Sequence, residues 1–371
     1  MDNNEMLSTL FPEEVPFVRL EDCCTLEKGA TPIQKAIPGE YPLVVTTSER
    51  KSANSYQFEK PTVCIPLISS RGHGVACLSQ IYYQEGRFAL GNILCGVTPI
   101  DQSQLSAKFL FYYLNQKKDV LIVPLMRGGA NVSLTVDSLR GIKVPIPPIK
   151  VQEKVVNFLD VFEELEDNLR LEISARNKQF EYYRKEVLTF NDTVKTVPLE
   201  TIADIGTGSS NTNEGKEEGL YPFFVRSQEP LRKNEYEFDE TAIITAGDGV
   251  GVGKVFHFVE GKYALHQRAY RIHITSPDIL PKYYFHYMKA AFLPYIEKTM
   301  YQGSVASIRR PMLNAFPVPV PPVMVQKRII SILDQFETIC SNPAIGLPAE
   351  IDARQKQYDY YRYRLLSFNE R

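Results

Sequence analysis

The stretch TAGDGVGVGKVFH, residues 245–257, is dense enough in glycine to ask whether it cradles a phosphate. A P-loop needs G-x-x-x-x-G-K-[ST], but here Gly249 and Gly253 enclose three residues and Val255 follows Lys254. The pattern G-x-G-x-x-G also fails, because Val252 and Lys254 stand where glycine is required. A tight hairpin or bulge is the simpler reading. SSRGHGVAC (69–77) holds the same place in the first half of the chain. A loop of this kind with Arg71 or Lys254 can bring backbone close to a phosphate chain. The cysteines Cys23, Cys24, Cys64, Cys77, Cys95 and Cys340 form no C-x-x-C pair and find no histidine at metal-ligand spacing, so they read as buried thiols. His73, His257, His266, His273 and His286 are scattered. G-x-S-x-G, H-E-x-x-H, the D/N-P-P-Y/F tetrapeptide of amino-methyltransferases and helicase-type nucleotide motifs are all missing. The expectation is a chain with no catalytic residues and no metal or cofactor of its own.

Polar and basic side chains on loops offer different chemistry. TTSERK (46–51) contributes Thr46, Ser48, Arg50 and Lys51, the glycine segment Arg71 and His73, and RGGANVS (127–133) Arg127 and Asn131. The second half contributes Arg226, Gln228, Arg232 and Lys233, then Lys254, then His266, Gln267 and Arg268, and finally Gln302, Ser304, Arg309 and Arg310. Arginine and lysine match guanine, glutamine and asparagine match adenine, and hydroxyls serve base or phosphate. Any one of them could be an ordinary solvated residue; clustering in corresponding segments is the argument for binding. The net charge of −2 speaks against nucleic acid until it is divided. Residues 15–143 carry 14 Lys and Arg against 10 Asp and Glu, and 205–317 carry 13 against 12. Residues 150–190 carry 7 against 9.

These loops must be held by something, and the chain supplies it twice. VPIPPIKVQEKVVNFLD (144–160) returns as VPVPPVMVQKRIISILD (318–334), with 8 of 17 residues identical. EISARNKQFEYYRKEVLTF (172–190) returns as EIDARQKQYDYYRYRLLSF (350–368), with 11 of 19 identical. A period near 175 residues is a domain, not a solenoid repeat. Each half opens with β-branched runs punctuated by turns, adds helical stretches such as 106–116 or 281–292, and ends in a proline run and a long helix. Val151, Val155, Phe158, Phe162, Leu165 and Leu169 follow the spacing of a coiled-coil seam. After a stutter it resumes from Ile173 through Phe180 and Tyr183. The second copy breaks near 342–348, where SNPAIGLP places two prolines. The expected class is α+β: globules at 1–148 and 191–322, spacer helices at 149–190 and 323–371. The two helices would pack as an antiparallel coiled coil under pseudo-twofold duplication. Pro147 and Pro148 stop the strand at a fixed place and stiffen the entry to the helix. With no apolar run for a bilayer and no signal peptide in MDNNEMLSTLFPEE, a cytoplasmic protein without membrane contact is expected.

The layout resembles the specificity subunits of type I restriction-modification systems over nearly the whole chain. The P-P-x-x-x-Q-x-x-[IV] start and Q-[FY]-x-Y-Y-R end of each helical block carry the likeness. The resemblance implies two target recognition domains, each reading one part of a bipartite, asymmetric site in double-stranded DNA. It implies helices that set the gap and dock two methylation subunits, joined by restriction subunits. S-adenosylmethionine, ATP and Mg would then sit on those partners. Gln152, Tyr182, Arg184, Gln326, Tyr360 and Arg362, within the matching motifs, become the candidate docking residues. The rival reading is a non-catalytic coiled-coil adaptor that scaffolds proteins and reads no DNA.

Overall fold

The computed structural model describes residues 14–71, 74–299, 307–341 and 344–370. They divide into two compact units, one of 1–169 with 351–371 and one of 170–350. The chain begins with β1 (Glu14–Val15), β2 (Phe17–Arg19), α1 (Leu20–Cys23), β3 (Cys24–Lys28), β4 (Tyr41–Val44) and β5 (Lys51–Ala53). Then come β6 (Thr62–Pro66), β7 (Tyr82–Gln84), β8 (Ala89–Leu90), β9 (Leu94–Pro99), α2 (Ala107–Leu121), α3 (Val136–Arg140) and β10 (Lys143–Pro145). A four-stranded sheet runs β3-β9-β6-β7 beside a three-stranded sheet β5-β4-β8. β6 and β9 are buried along their whole length, and their two buried threonines, Thr62 and Thr98, satisfy each other at 2.8 Å. Ser106 caps α2 through the Phe109 N–H, and α2 buries Phe109, Leu110, Tyr112, Tyr113 and Leu114. β10 pairs with β2 at the proline neck.

The long helix α4 spans Ile149–Val187. The second globule follows with β11 (Thr196–Pro198), β12 (Ala203–Thr207), β13 (Tyr221–Phe224), β14 (Leu231–Lys233), β15 (Phe238–Ala246), β16 (Phe256–Leu265) and β17 (Ala269–Ile274). It closes with α5 (Pro281–Thr299), α6 (Arg310–Asn314), β18 (Pro317–Pro319) and α7 (Val323–Ser341). Its strands form one sheet, β12-β17-β15-β16-β13-β14, and β11 pairs with β18 at the second proline neck. α5 buries Tyr283, Tyr284, Met288 and Phe292.

The chain ends with α8 (Leu347–Leu365) and β19 (Asn369–Glu370). Pro348 lies in the first turn of α8, where its missing N–H would have no helical partner anyway. Within the first unit α8 runs antiparallel to the start of α4. Phe158 meets Tyr361 with ring centres 5.3 Å apart, and Phe162 meets Tyr358 at 6.2 Å. β19 lies parallel to β1, and Leu365 and Leu366 join the core of the first globule. Within the second unit Phe180 and Tyr183, near the end of α4, pack on Phe336 of α7.

Candidate nucleic-acid interface

In the second globule one end of the sheet is tied to the proline neck. β17 leaves toward the neck: the Thr275 N–H donates to Ile202, and the Leu280 N–H donates to the Gln326 amide at 2.8 Å. The opposite end, where Ala246 pairs with Ala269, carries loop 247–255 and turn 266–268. Arg226, just past β13, arrives there because β13 lies parallel to β16. Its Nη1 donates to Asp248 Oδ1 at 2.7 Å, and Arg268 Nη1 donates to Oδ2 of the same carboxylate at 3.2 Å. Burial opposes ionisation of Asp248, but the two guanidiniums outweigh it and hold the carboxyl below its usual range. His266 is buried and its Nδ1 accepts the Arg268 N–H at 2.9 Å. Burial, then the Arg226 charge, hold the pKa of this imidazole below its ordinary value. Gln267 donates to Asn211 Oδ1 at 2.5 Å.

Other candidates in this globule scatter more widely. Lys233 donates to Glu214 at 2.7 Å and to Ser210 at 2.9 Å, so its charge is already met. Arg310 donates to the Ile205 carbonyl, while Gln228, Arg232, Lys254 and Arg309 are exposed. Gln302 and Ser304 lie outside the described residues. Gly249 and Gly253 adopt φ of +82° and +70°, and a Cβ on Gly251 would come within 2.5 Å of the Arg226 carbonyl oxygen. The glycines let the loop turn tightly against Arg226.

In the first globule Thr46, Ser48, Lys51, Arg71 and Asn131 are exposed. Arg50 is tied down: Nε donates to Gln84 at 3.1 Å and the guanidinium lies 5.2 Å over the Tyr82 ring. Arg127 folds back on its own loop, donating to the carbonyls of Pro124 and Met126. His73 lies outside the described residues.

Among the residues expected to meet partners, Gln152 and Gln326 need correction. Both are fully buried. Gln152 accepts the Ser106 N–H at 2.8 Å and donates to the carbonyls of Gln104 at 2.7 Å and Pro147 at 2.8 Å. Gln326 repeats this with Leu280, Asp278 and Pro321. The amide thus ties proline neck, helix start and globule into one joint and has no face for a partner. Arg184 and Arg362 lie over the rings four residues earlier, Phe180 at 5.6 Å and Tyr358 at 5.1 Å. Tyr182 and Tyr360 point outward, 61% and 50% exposed.

A second anchor went unread in the sequence. Tyr112 donates to Asp160 at 2.6 Å, joining α2 to α4. In the second globule His286, also buried, lies 2.8 Å from Asp334 and joins α5 to α7. Burial lowers the His286 pKa against the opposing pull of Asp334. His286, Asp334 and Glu337 lie close enough to hold a metal ion. Lys289, 2.9 Å from Glu337, and Lys282, 3.7 Å from Asp334, already supply the positive charge. Of the cysteines, Cys23 and Cys77 are half-buried, the others are buried, and all are free. No helix among the described residues is long and apolar enough to cross a membrane.

Residues 12–175 and 191–353 each match the family described as the type I restriction modification DNA specificity domain. A putative type I restriction enzyme specificity subunit of Haemophilus influenzae is 27% identical over 385 residues, 96% of either chain. The EcoR124I/EcoR124II specificity subunit of Escherichia coli is 30% identical over 306 residues, 73% of either chain. A solved S subunit from M. genitalium superposes with a TM-score of 0.62 at 16% identity, over 97% of this chain and 98% of that one. The HsdS subunit of Thermoanaerobacter tengcongensis gives 0.53 at 16% identity, over 96% of each. With a specificity domain matched in both halves, the chain belongs to the family of type I restriction-modification DNA specificity subunits.

Proposed function

We propose that this specificity subunit is the cytoplasmic DNA reader of a type I restriction-modification complex, each globule taking one part of a bipartite, asymmetric site in double-stranded DNA. It is the non-catalytic member of that complex. The observation that carries the reading is a backbone framework built twice with different side chains on its free end. Gly91 N–H donates to Val44 and Asn92 N–H to Thr31; His266 N–H donates to Phe224 and Gln267 N–H to Ser210 in the same way. Repeated framework with unlike surface is what two unlike half-sites require.

The long helices set the gap between half-sites as an antiparallel coiled coil under a pseudo-twofold, and dock two methylation subunits, with restriction subunits joining for cleavage. Outward Tyr182 and Tyr360, in matching motifs, support the docking role. S-adenosylmethionine, ATP and Mg belong on those partners. The test is to express the chain with its methylation subunits in cells lacking other modification and to sequence the methylated positions. A split motif of two unlike halves at constant spacing is expected; methylation without a motif would reject the reading.

A further inference from the structure

The matched frameworks allow the two free sheet ends to be compared position by position. Gly247 N–H donates to the Arg268 carbonyl at 2.9 Å, as Leu67 N–H donates to Ile93 at 2.8 Å. Ile308 N–H donates to Gly247 at 2.8 Å, as Leu134 N–H donates to Leu67 at 2.7 Å. The bridge of Asp248 with Ser307 matches the bridge of Ile68 with Ser133. The β13–β16 register, Phe224 beside Leu265, matches Val44 beside Leu90 in β4–β8. Arg226, Asp248 and Arg268 therefore occupy the places of Thr46, Ile68 and Ile93. The ion-paired trio in one globule is replaced as a set by uncharged residues in the other, and the backbone bonds persist.

The fold does not need the trio, then, and its exposure says the same. The Arg268 side chain is 62% exposed and Arg226 41% over an Asp248 that is 21% exposed, so the arginine side of each pair is wetted and screened. Its geometry suits a ligand better. Each arginine spends Nη1 on Asp248. The Nε–Nη2 edge of each is left without a partner among the described residues. That edge matches the O6 and N7 acceptors of guanine, and two guanidiniums on one carboxylate leave net positive charge facing outward.

Resting on the proposed DNA-reading role, we propose that Arg268 is a specificity-determining residue that reads a guanine in the half-site of the second globule. Asp248 is the positioning residue that aims it together with Arg226. The first globule makes no arginine–guanine contact from Thr46, Ile68 and Ile93, so the dependence is confined to one half-site.

The experiment maps methylation by the complete complex carrying wild type, Arg268→Ala, Asp248→Ala or Asp248→Glu, with co-purification of the methylation subunits reporting assembly. Arg268→Ala should lower the preference for guanine at one position roughly 5- to 150-fold and leave the other half-site unchanged. Asp248→Ala should relax that same position, and Asp248→Glu should restore part of it, which a merely structural carboxylate would not do. If Asp248→Ala fails to assemble, the exposed Arg268→Ala decides alone. An unchanged motif in assembled Arg268→Ala overturns the inference and leaves the DNA-reading role standing. So does a uniform loss at every site, which would assign Arg268 to phosphate. A wild-type complex with no motif instead overturns the reading on which the inference rests.

Discussion

Gln152 and Gln326 each serve three backbone groups, the bond to the Pro147 or Pro321 carbonyl buried and the other two partly buried. Truncating either leaves one buried carbonyl unpaired, at about 1–3 kcal/mol, while water can partly replace the two half-buried bonds. Gln152→Ala and Gln326→Ala should each lower unfolding free energy by about 2–3 kcal/mol in urea titrations. His286 allows a test by pH. Its folded pKa lies below the ordinary histidine value, so its contribution is complete above about pH 6.5 and is lost as pH falls through the folded value. Asp334, Glu337, Lys282 and Lys289 are the charged groups that face it. His286→Tyr, copying Tyr112, should narrow the fall in thermal midpoint between pH 7.5 and 5.5. The glutamine stood in plain view in P-P-x-x-x-Q, yet residue type suggested an exposed docking amide. Spacing to the proline carbonyl was readable; the distant Ser106 and Leu280 amides were not.

The helices repay comparison at the scale of the element. The Q-[FY]-x-Y-Y-R block turns Phe180 or Tyr358 inward, lays the arginine on that ring and points the first tyrosine of the pair outward. One motif thus combines packing with a presented surface. Tyr182→Ala with Tyr360→Ala should change stability by no more than about 0.5 kcal/mol. The same pair should weaken capture of methylation subunits roughly tenfold or more in pull-down titrations. The inward turn of Phe180 and Tyr358 was legible, because helical periodicity is local. Which tyrosine faced out followed from the same periodicity, whereas the arginine's use as a cover for its own ring did not.

For the whole molecule, the chain order and the compact units differ. Expected boundaries at 148, 190 and 322 cut the chain linearly, but the first unit also takes 351–371. Tyr358, Leu365 and Leu366 complete the core around Val155, Leu159 and Phe109, and Lys143 pairs with Glu370. Removing 347–371 should therefore expose the N-terminal globule to proteases far more than the second globule, as limited proteolysis with mass spectrometry would read. Equal protection of both would show that the first globule closes without its C-terminal helix.

Sequence alone determined the duplication, the proline necks, the long helices with the break in the second and the want of catalytic motifs, because each is written in residues close together or in a direct repeat. Tertiary structure decided which loop residues act together. Arg226, Asp248 and Arg268 come from three separate segments. They meet because β13 pairs parallel to β16 while β15 pairs antiparallel to β16 and β17. Which strands become neighbours is a long-range property: β13 lies beside β16 although β14 and β15 intervene in the chain. Asp248 escaped notice in the sequence for that reason: only beside the two arginines does its carboxylate acquire a role.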